Sequence, residues 1–224
     1  PVMQISCRDR NKIALQSDIL GANALGIKNI LCITGDSVKA GDQKDAKAVH
    51  QFESVRLLKQ IRAFNKGIDP TFGELPDKKT FIFAGAAADP NCRSQKSLEN
   101  RIRKKKEAGA QFIQTQMVME RENLIEFCEK IAKPLEIPVI AGVFLLKSYK
   151  NALFINKYVP GANIPEHILK RLKDSKNPLE EGIQIAAEQA HDFFYIANGI
   201  HLMAVKTEHL IPEILEKANL NLEY

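Results

Sequence analysis

Apolar and polar positions follow two rhythms along this chain. Short, nearly unbroken apolar runs occupy residues 2–7, 29–34, 80–85, 112–116, 137–143 and 199–205, and each has the length and β-branched content of a buried strand. Between them, apolar residues recur every three or four positions, which predicts helices over 11–25, 49–64, 97–108, 123–132, 147–157, 165–173, 178–195 and 212–218. Gly26 and Gly109 stand where two of these helices stop, and Pro165 stands at the first turn of another. Residues 66–79 carry Gly67, Pro70, Gly73 and Pro76, marking a long irregular connection.

Six strands, each followed by helix, predict an α/β fold with a parallel sheet and right-handed crossovers. An open doubly wound sheet and a closed barrel share that pattern. No Gly-x-Gly-x-x-Gly follows the first strand and no phosphate-loop pattern occurs, so the reading turns to a (β/α)8 TIM barrel. Such a barrel has eight units, and this sequence is inside its first strand at Val2. The expectation is therefore a single barrel domain over 1–224 with about six of the eight βα units, one or two lacking at the N-terminal side.

In this architecture ligands gather at the C-terminal ends of the strands. The run Asn29-Ile30-Leu31-Cys32-Ile33-Thr34 ends on Gly35 and Asp36, which is either ordinary turn chemistry or a carboxylate at a site. The other tips bring Ser6, Arg8 and Asp9, the stretch Gly85 to Asn91, Gln116 and Gly142. Along 112–116 the strand period puts Phe112, Gln114 and Gln116 on one face, so two amides stand where apolar groups are usual. A rim of carboxylate, amide and glycine suits a flat heteroaromatic ligand better than hydrolysis, for which no Ser-His-Asp or His-Glu-x-x-His pattern is present. His201, inside a strand, reads as structural.

Composition narrows this picture only modestly. A net charge of +5 with basic residues scattered among acids argues against nucleic acid as a partner and fits a phosphate-bearing cofactor equally well. The exception is Arg101-Ile102-Arg103-Lys104-Lys105-Lys106, which either complements the dipole at a helix end or meets a phosphate. A barrel helix runs away from the ligand rim, so Lys105 is expected farther from that rim than Arg101. Cys7, Cys32, Cys92 and Cys128 have neither disulfide nor metal spacing; reduced thiols, no metal and a cytoplasmic location are expected. No apolar run is long enough for a membrane helix.

Taken in order, Cys7-Arg8-Asp9-Arg10, Leu31-Cys32-Ile33-Thr34-Gly35-Asp36, Gly85-Ala86-Ala87-Ala88-Asp89-Pro90-Asn91, Ala108-Gly109-Ala110-Gln111-Phe112-Ile113-Gln114-Thr115-Gln116 and Gly199-Ile200-His201-Leu202-Met203-Ala204 resemble the methylenetetrahydrofolate reductase family, over essentially the whole chain. The resemblance implies a (β/α)8 barrel with FAD, hydride supplied by NADH or NADPH, and reduction of 5,10-methylenetetrahydrofolate to 5-methyltetrahydrofolate. It implies Asp36 and Gln116 as catalytic and substrate-contacting residues and Asn151 as a further substrate contact. Gln4, Thr34, Gly35, Asp36, Gly85, Asp89, Asn91, Arg101, Lys104 and Lys105 fall at flavin-contact positions.

Departures from the family pattern are local. Gln4 and Asp89 stand where the enterobacterial form has histidines, Gly85 where it has tyrosine, and Thr207 where an arginine contacts folate. The family's catalytic glutamate has no counterpart among these residues. The partners implied are a folate and either a homo-oligomer or a partner reductase subunit. Two alternatives share the architecture: a non-catalytic or partner-dependent flavin- or pterin-binding subunit, and a pterin-dependent methyltransferase.

Overall fold

A computed structural model describes residues 1–75, 79–159 and 161–220. The chain forms two compact units, Pro1–Ala87 with Asn100–Ile113, and Ala88–Glu99 with Gln114–Tyr224.

In the first unit, β1 (Val2–Ser6) is followed by α1 (Lys12–Ala24), and β2 (Asn29–Ile33) by α2 (Ser54–Asn65). A two-residue antiparallel pair, β3 (Ile68–Asp69) and β4 (Gly73–Glu74), then precedes β5 (Phe83–Ala88). Strand β1 pairs in parallel with β2, and β2 with β5, so strand order follows chain order. Ile5, Cys7, Ile30, Cys32, Ala84 and Ala86 are buried on one face, as are Leu15 and Ile19 of α1 and Leu57, Leu58, Ile61 and Phe64 of α2. Helix α3 (Gln95–Ala108) leads into β6 (Phe112–Met117).

The second unit continues with α4 (Arg121–Phe127), a π-helical turn at Cys128–Ala132 and β7 (Val139–Phe144). Helices α5 (Tyr149–Tyr158), α6 (Glu166–Asp174) and α7 (Pro178–Ile196) come next, then β8 (Gly199–Met203) and α8 (Ile211–Ala218). Strands β7 and β8 are parallel, pairing Gly142 with His201 and Phe144 with Met203. A core of Met117, Met119, Leu146, Ala152, Ile155, Ile164, Ile168, Leu169, Leu172 and Ile185 binds β6 to the helices after β7. Parallel strands in chain order, each followed by helix, make this a six-strand (β/α)8-class fold, not a doubly wound one whose strand order reverses. No helix among the described residues is long and apolar enough to cross a membrane.

Of the element boundaries that differ from the periodicity reading, three are explained by groups distant in the chain that take the backbone's partner. Strand β5 starts at Phe83 rather than residue 80. Asn65 Oδ1 accepts from Thr80 Oγ1 (2.6 Å) and Ile82 N (3.1 Å) while its Nδ2 donates to Ile82 O (2.8 Å), and Asn23 Oδ1 accepts from Phe81 N (3.0 Å). With those groups satisfied by side chains, ladder pairing begins only at Phe83 and runs on through the alanines to Ala88. Helix α2 starts at Ser54 rather than residue 49, since Val49 N (2.7 Å) and His50 N (3.3 Å) both donate to Arg8 O. The last strand ends at Met203 rather than 205, because Lys147 Nζ takes the Val205 carbonyl at 3.1 Å.

Asn65 therefore sets where β5 begins. Asn65→Leu leaves part-buried groups of Thr80 and Ile82 without their partners and is expected to cost about 2–4 kcal/mol, read from the shift in urea midpoint at unchanged slope. Wild-type stability in that variant would show the clamp to be dispensable.

Candidate functional site

The first unit's strand ends meet at a turn that tolerates only glycine. Gly35 has φ of +91°, and a Cβ there would lie 2.7 Å from Arg8 Cβ and against Ser6 Oγ. The end of β1 is held under it by Ser6 Oγ, which accepts from Arg8 N at 3.2 Å. Asp36 follows with its side chain exposed. The Arg8 guanidinium, close enough to interact electrostatically with Asp36, is gripped by Asp9 through Nε (2.6 Å) and Nη2 (2.9 Å). That grip holds the Asp9 carboxyl below the usual carboxylate range. Thr34 is committed elsewhere: its Oγ1 accepts from Ser54 N (3.2 Å) and donates to Ser54 Oγ (3.3 Å), pinning the start of α2.

Strand register puts Gln4, Leu31 and Gly85 in one row, Gln4 opposite Leu31 and Leu31 opposite Gly85. Gln4 is exposed, whereas Gly85 is buried. The Phe112 ring occupies the place a side chain at 85 would take, and Phe83 stacks on it with centroids 5.5 Å apart and planes 8° from parallel. A tyrosine-sized side chain has no room at residue 85 beside this ring; an aromatic surface is present all the same, contributed from β6.

Among the basic residues of α3, Arg101 and Lys104 are exposed. Lys105 turns back, its Nζ donating to Ala87 O at 2.6 Å near the C-terminal end of β5. Helix direction set Lys105 farther from the ligand-side rim than Arg101, yet its ammonium reaches this strand end because four methylenes span the rise of the helix. Burial pushes the Lys105 pKa down, Arg101 adds to that, and Glu53 opposes it. Glu53 was not singled out by periodicity, which placed it inside a helix; it is the residue just before α2.

In the second unit, Asp89 and Asn91 form an Asx turn after β5, Asn91 N donating to Asp89 Oδ1 at 3.0 Å. Asn91 Nδ2 donates to Met117 O (3.0 Å) and its Oδ1 accepts from Asn123 Nδ2 (3.2 Å), so this amide ties β6 to α4. Gln116 projects an exposed side chain from β6, and Gln114 is half-buried on the same face. Between them Thr115, 3% exposed, accepts from Gly142 N at 2.8 Å and donates to Gln116 O at 2.7 Å. Sequence reading missed Thr115 because one polar residue in an apolar strand carries no distinctive pattern. Asn151 Oδ1 accepts from Lys147 N (3.2 Å), closing the start of α5. His201 is half-buried, and burial lowers its pKa, so it is neutral at pH 7.

The thiols are all reduced. Cys7 and Cys32 are buried, with Cys7 pushed up to about 11 and Cys32 raised further still by burial. Neither is a nucleophile at neutral pH.

The turn at Gly35 is directly testable. Gly35→Ala forces a left-handed alanine against Ser6 and Arg8 and is expected to cost about 2–4 kcal/mol. Adding Ser6→Ala should recover only part of this in a thermal melt, because the backbone strain and the Arg8 contact persist.

Comparison with known proteins agrees with this architecture. The family described as methylenetetrahydrofolate reductase matches residues 1–219. Methylenetetrahydrofolate reductase 1 of Schizosaccharomyces pombe is 24% identical over 97% of this chain and 35% of its own length. A probable methylenetetrahydrofolate reductase (NADPH) of Caenorhabditis elegans is 25% identical over 98% of this chain and 32% of its own. The chain thus spans about a third of the length of these relatives. Among solved structures, an uncharacterized protein from Clostridium thermocellum that binds two copies of 5-methyl-5,6,7,8-tetrahydrofolic acid superposes with TM-score 0.50 at 15% identity, covering 97% of this chain and 93% of that one, which supports the fold. With the family match running across nearly every residue, the chain belongs to the methylenetetrahydrofolate reductase family.

Proposed function

We propose that this chain carries the reductase chemistry of its family: reduction of 5,10-methylenetetrahydrofolate to 5-methyltetrahydrofolate, with hydride from NADH or NADPH passed through FAD. The observation that supports it most is Asp36, an exposed carboxylate at the end of a buried strand inside a family match that spans residues 1–219. The Clostridium thermocellum protein is a precedent for a reduced folate as ligand of this fold.

The residues present fit a flavin nucleotide. The Lys105 ammonium, half-buried at the end of β5 with Arg101 nearby, is a weakly solvated cation suited to a phosphate, and Lys104 adds positive charge on the same helix. In the first unit Gln4, Thr34, Gly35 and Asp36 would contact the cofactor, with residue 85 acting through the Phe112 ring that covers it. In the second, Asp89 and Asn91 would do so, while Gln116 and Asn151 would contact the folate. When bound, FAD supplies a two-electron carrier that takes hydride from the nicotinamide and gives it to the folate.

The protein's part is electrostatic. The methylene bridge opens at its bond to N10, N10 takes a proton and N5 carries a cationic iminium carbon that accepts the hydride. A fixed carboxylate at Asp36 lowers the energy of that cation, and an amide at Gln116 both donates to and accepts from a pterin edge. None of the residues placed here is assigned as the acid that protonates N10. Cys7 and Cys32, buried and with their thiol pKa raised by burial, are given no part in proton transfer.

Purified chain mixed with FAD should acquire flavin absorbance that NADH or NADPH bleaches and methylenetetrahydrofolate restores. A chain that binds no flavin overturns the proposal. Flavin binding with turnover only after another polypeptide is added would select the partner-dependent subunit instead. Asp36→Asn is expected to slow folate reduction about 100-fold while changing flavin affinity less than threefold. Lys105→Met should weaken FAD binding about tenfold but leave riboflavin, which has no phosphate, unaffected.

A further inference from the structure

The strands of the second unit have two faces of opposite character. Along β7, Val139, Ala141 and Val143 are fully buried, and the parallel register sets Ile200 and Leu202 of β8 opposite Ala141 and Val143. On β6 the matching buried positions are Ile113 and Thr115. Strand alternation therefore puts Gln114 and Gln116 of β6, Gly142 and Phe144 of β7, and His201 and Met203 of β8 on the other face. Gln116, Gly142 and His201 lie at one level, because Thr115 Oγ1 accepts from Gly142 N at 2.8 Å and Gly142 pairs with His201. No side chain stands between the outer two and none fits, since a Cβ on Gly142 would lie 2.6 Å from Gln116 O. With β6, β7 and β8 consecutive in the sheet, the backbones at Gln116 and His201 are two strand spacings apart, about 10 Å. Side chains rising from the sheet at that spacing admit one flat heterocycle between their polar tips.

Periodicity reads His201 as structural, yet among the described residues nothing hydrogen-bonds its ring. Polar groups that follow β8 are already engaged: Thr207 Oγ1 donates to Ala204 O at 3.2 Å, and Glu208 Oε1 accepts from Lys206 N at 3.0 Å. The imidazole is half-buried, so it has lost part of its water without gaining a protein partner, and the polar edge of a ligand would replace what was lost. Burial keeps the ring neutral, with one N–H and one lone pair, so like the Gln116 amide it can donate and accept at once. Neutrality also suits the chemistry. A lysine or arginine here would set a second positive charge against the iminium cation of the proposed reaction, and an imidazole does not. Phe144 and Met203, one pleat nearer the strand ends on the same face, add an aromatic and a thioether wall.

We infer that His201 is a substrate-contacting residue, binding the pterin ring of the folate from β8 while Gln116 binds it from β6. The inference rests on the reductase reading above, and its test separates the two. The chain, loaded with FAD and ¹³C-labelled in its histidine rings, is titrated at neutral pH with 5-methyltetrahydrofolate, with 6-methyltetrahydropterin, which has the ring without the tail, and with p-aminobenzoylglutamate, which has the tail without the ring. The folate and the pterin should shift the His201 ring signal saturably, and the tail fragment should leave it unmoved. His201→Phe, which keeps a planar ring and removes both nitrogens, should weaken 5-methyltetrahydrofolate binding about tenfold while changing FAD affinity less than twofold. A chain that takes up no FAD, or takes up FAD but no 5-methyltetrahydrofolate, sinks the reductase reading and this inference with it. If the chain binds both, the inference alone is overturned by a His201 signal that stays still, that FAD moves and folate moves no further, or that answers the tail fragment instead of the pterin. Folate binding in His201→Phe as tight as in the parent overturns it as well.

Discussion

The closeness of β1 and β2 at their C-terminal ends constrains everything built at that end of the first unit. With Ser6 and Arg8 lying directly against residue 35, the chain leaving β2 has to turn with φ of +91°, and no side chain fits. Glycine at that point sets the direction in which Asp36 leaves the strand. A bulkier residue would push the two strand ends apart or move the carboxylate, and either change alters the electrostatics of the site before any ligand arrives. The hydroxyl of Thr34, one residue earlier, is spent on anchoring Ser54, so the same few residues also decide where α2 begins.

Polar groups near the strand ends divide by what they already hold. Thr34, Asn91, Asn151 and Lys105 each make hydrogen bonds to backbone, tying strand ends to the helices and loops that follow. Asp36, Gln4 and Gln116 are exposed. The first set keeps the frame rigid, and the second is the set to which the proposed function assigns ligand contacts. Lys105 belongs partly to both sets, because an ammonium bonded to one carbonyl retains two further protons.

Gly85 and Phe112 illustrate how one strand position can be filled from the next. A glycine in a strand weakens it unless something packs there, and the Phe112 ring does so while stacking on Phe83. The aromatic surface is thus kept, moved from one strand to its neighbour. The Gln189 amide shows the opposite case, a buried group whose Nε2 is satisfied by Met119 O while its Oε1 has no donor among the described residues.

Much of the fold was legible in the chain because hydrophobic periodicity is local. Two strand-length apolar runs, 29–34 and 112–116, fall within a residue of β2 and β6, and the long amphipathic run over 178–195 is α7 with one residue added. The order of motifs was also enough to indicate the family and to single out Asp36. What the chain alone did not reveal depends on partners distant in sequence: Asn65 and Asn23 delaying β5, Arg8 holding Val49 and His50 out of α2, and Phe112 filling the space at Gly85. Lys105 is the clearest case, since helix geometry pointed it away and a carbonyl 18 residues earlier brought it back. Backbone groups bond to whatever donor or acceptor the folded chain brings near, and a sequence pattern encodes which face is buried but not which partner waits there.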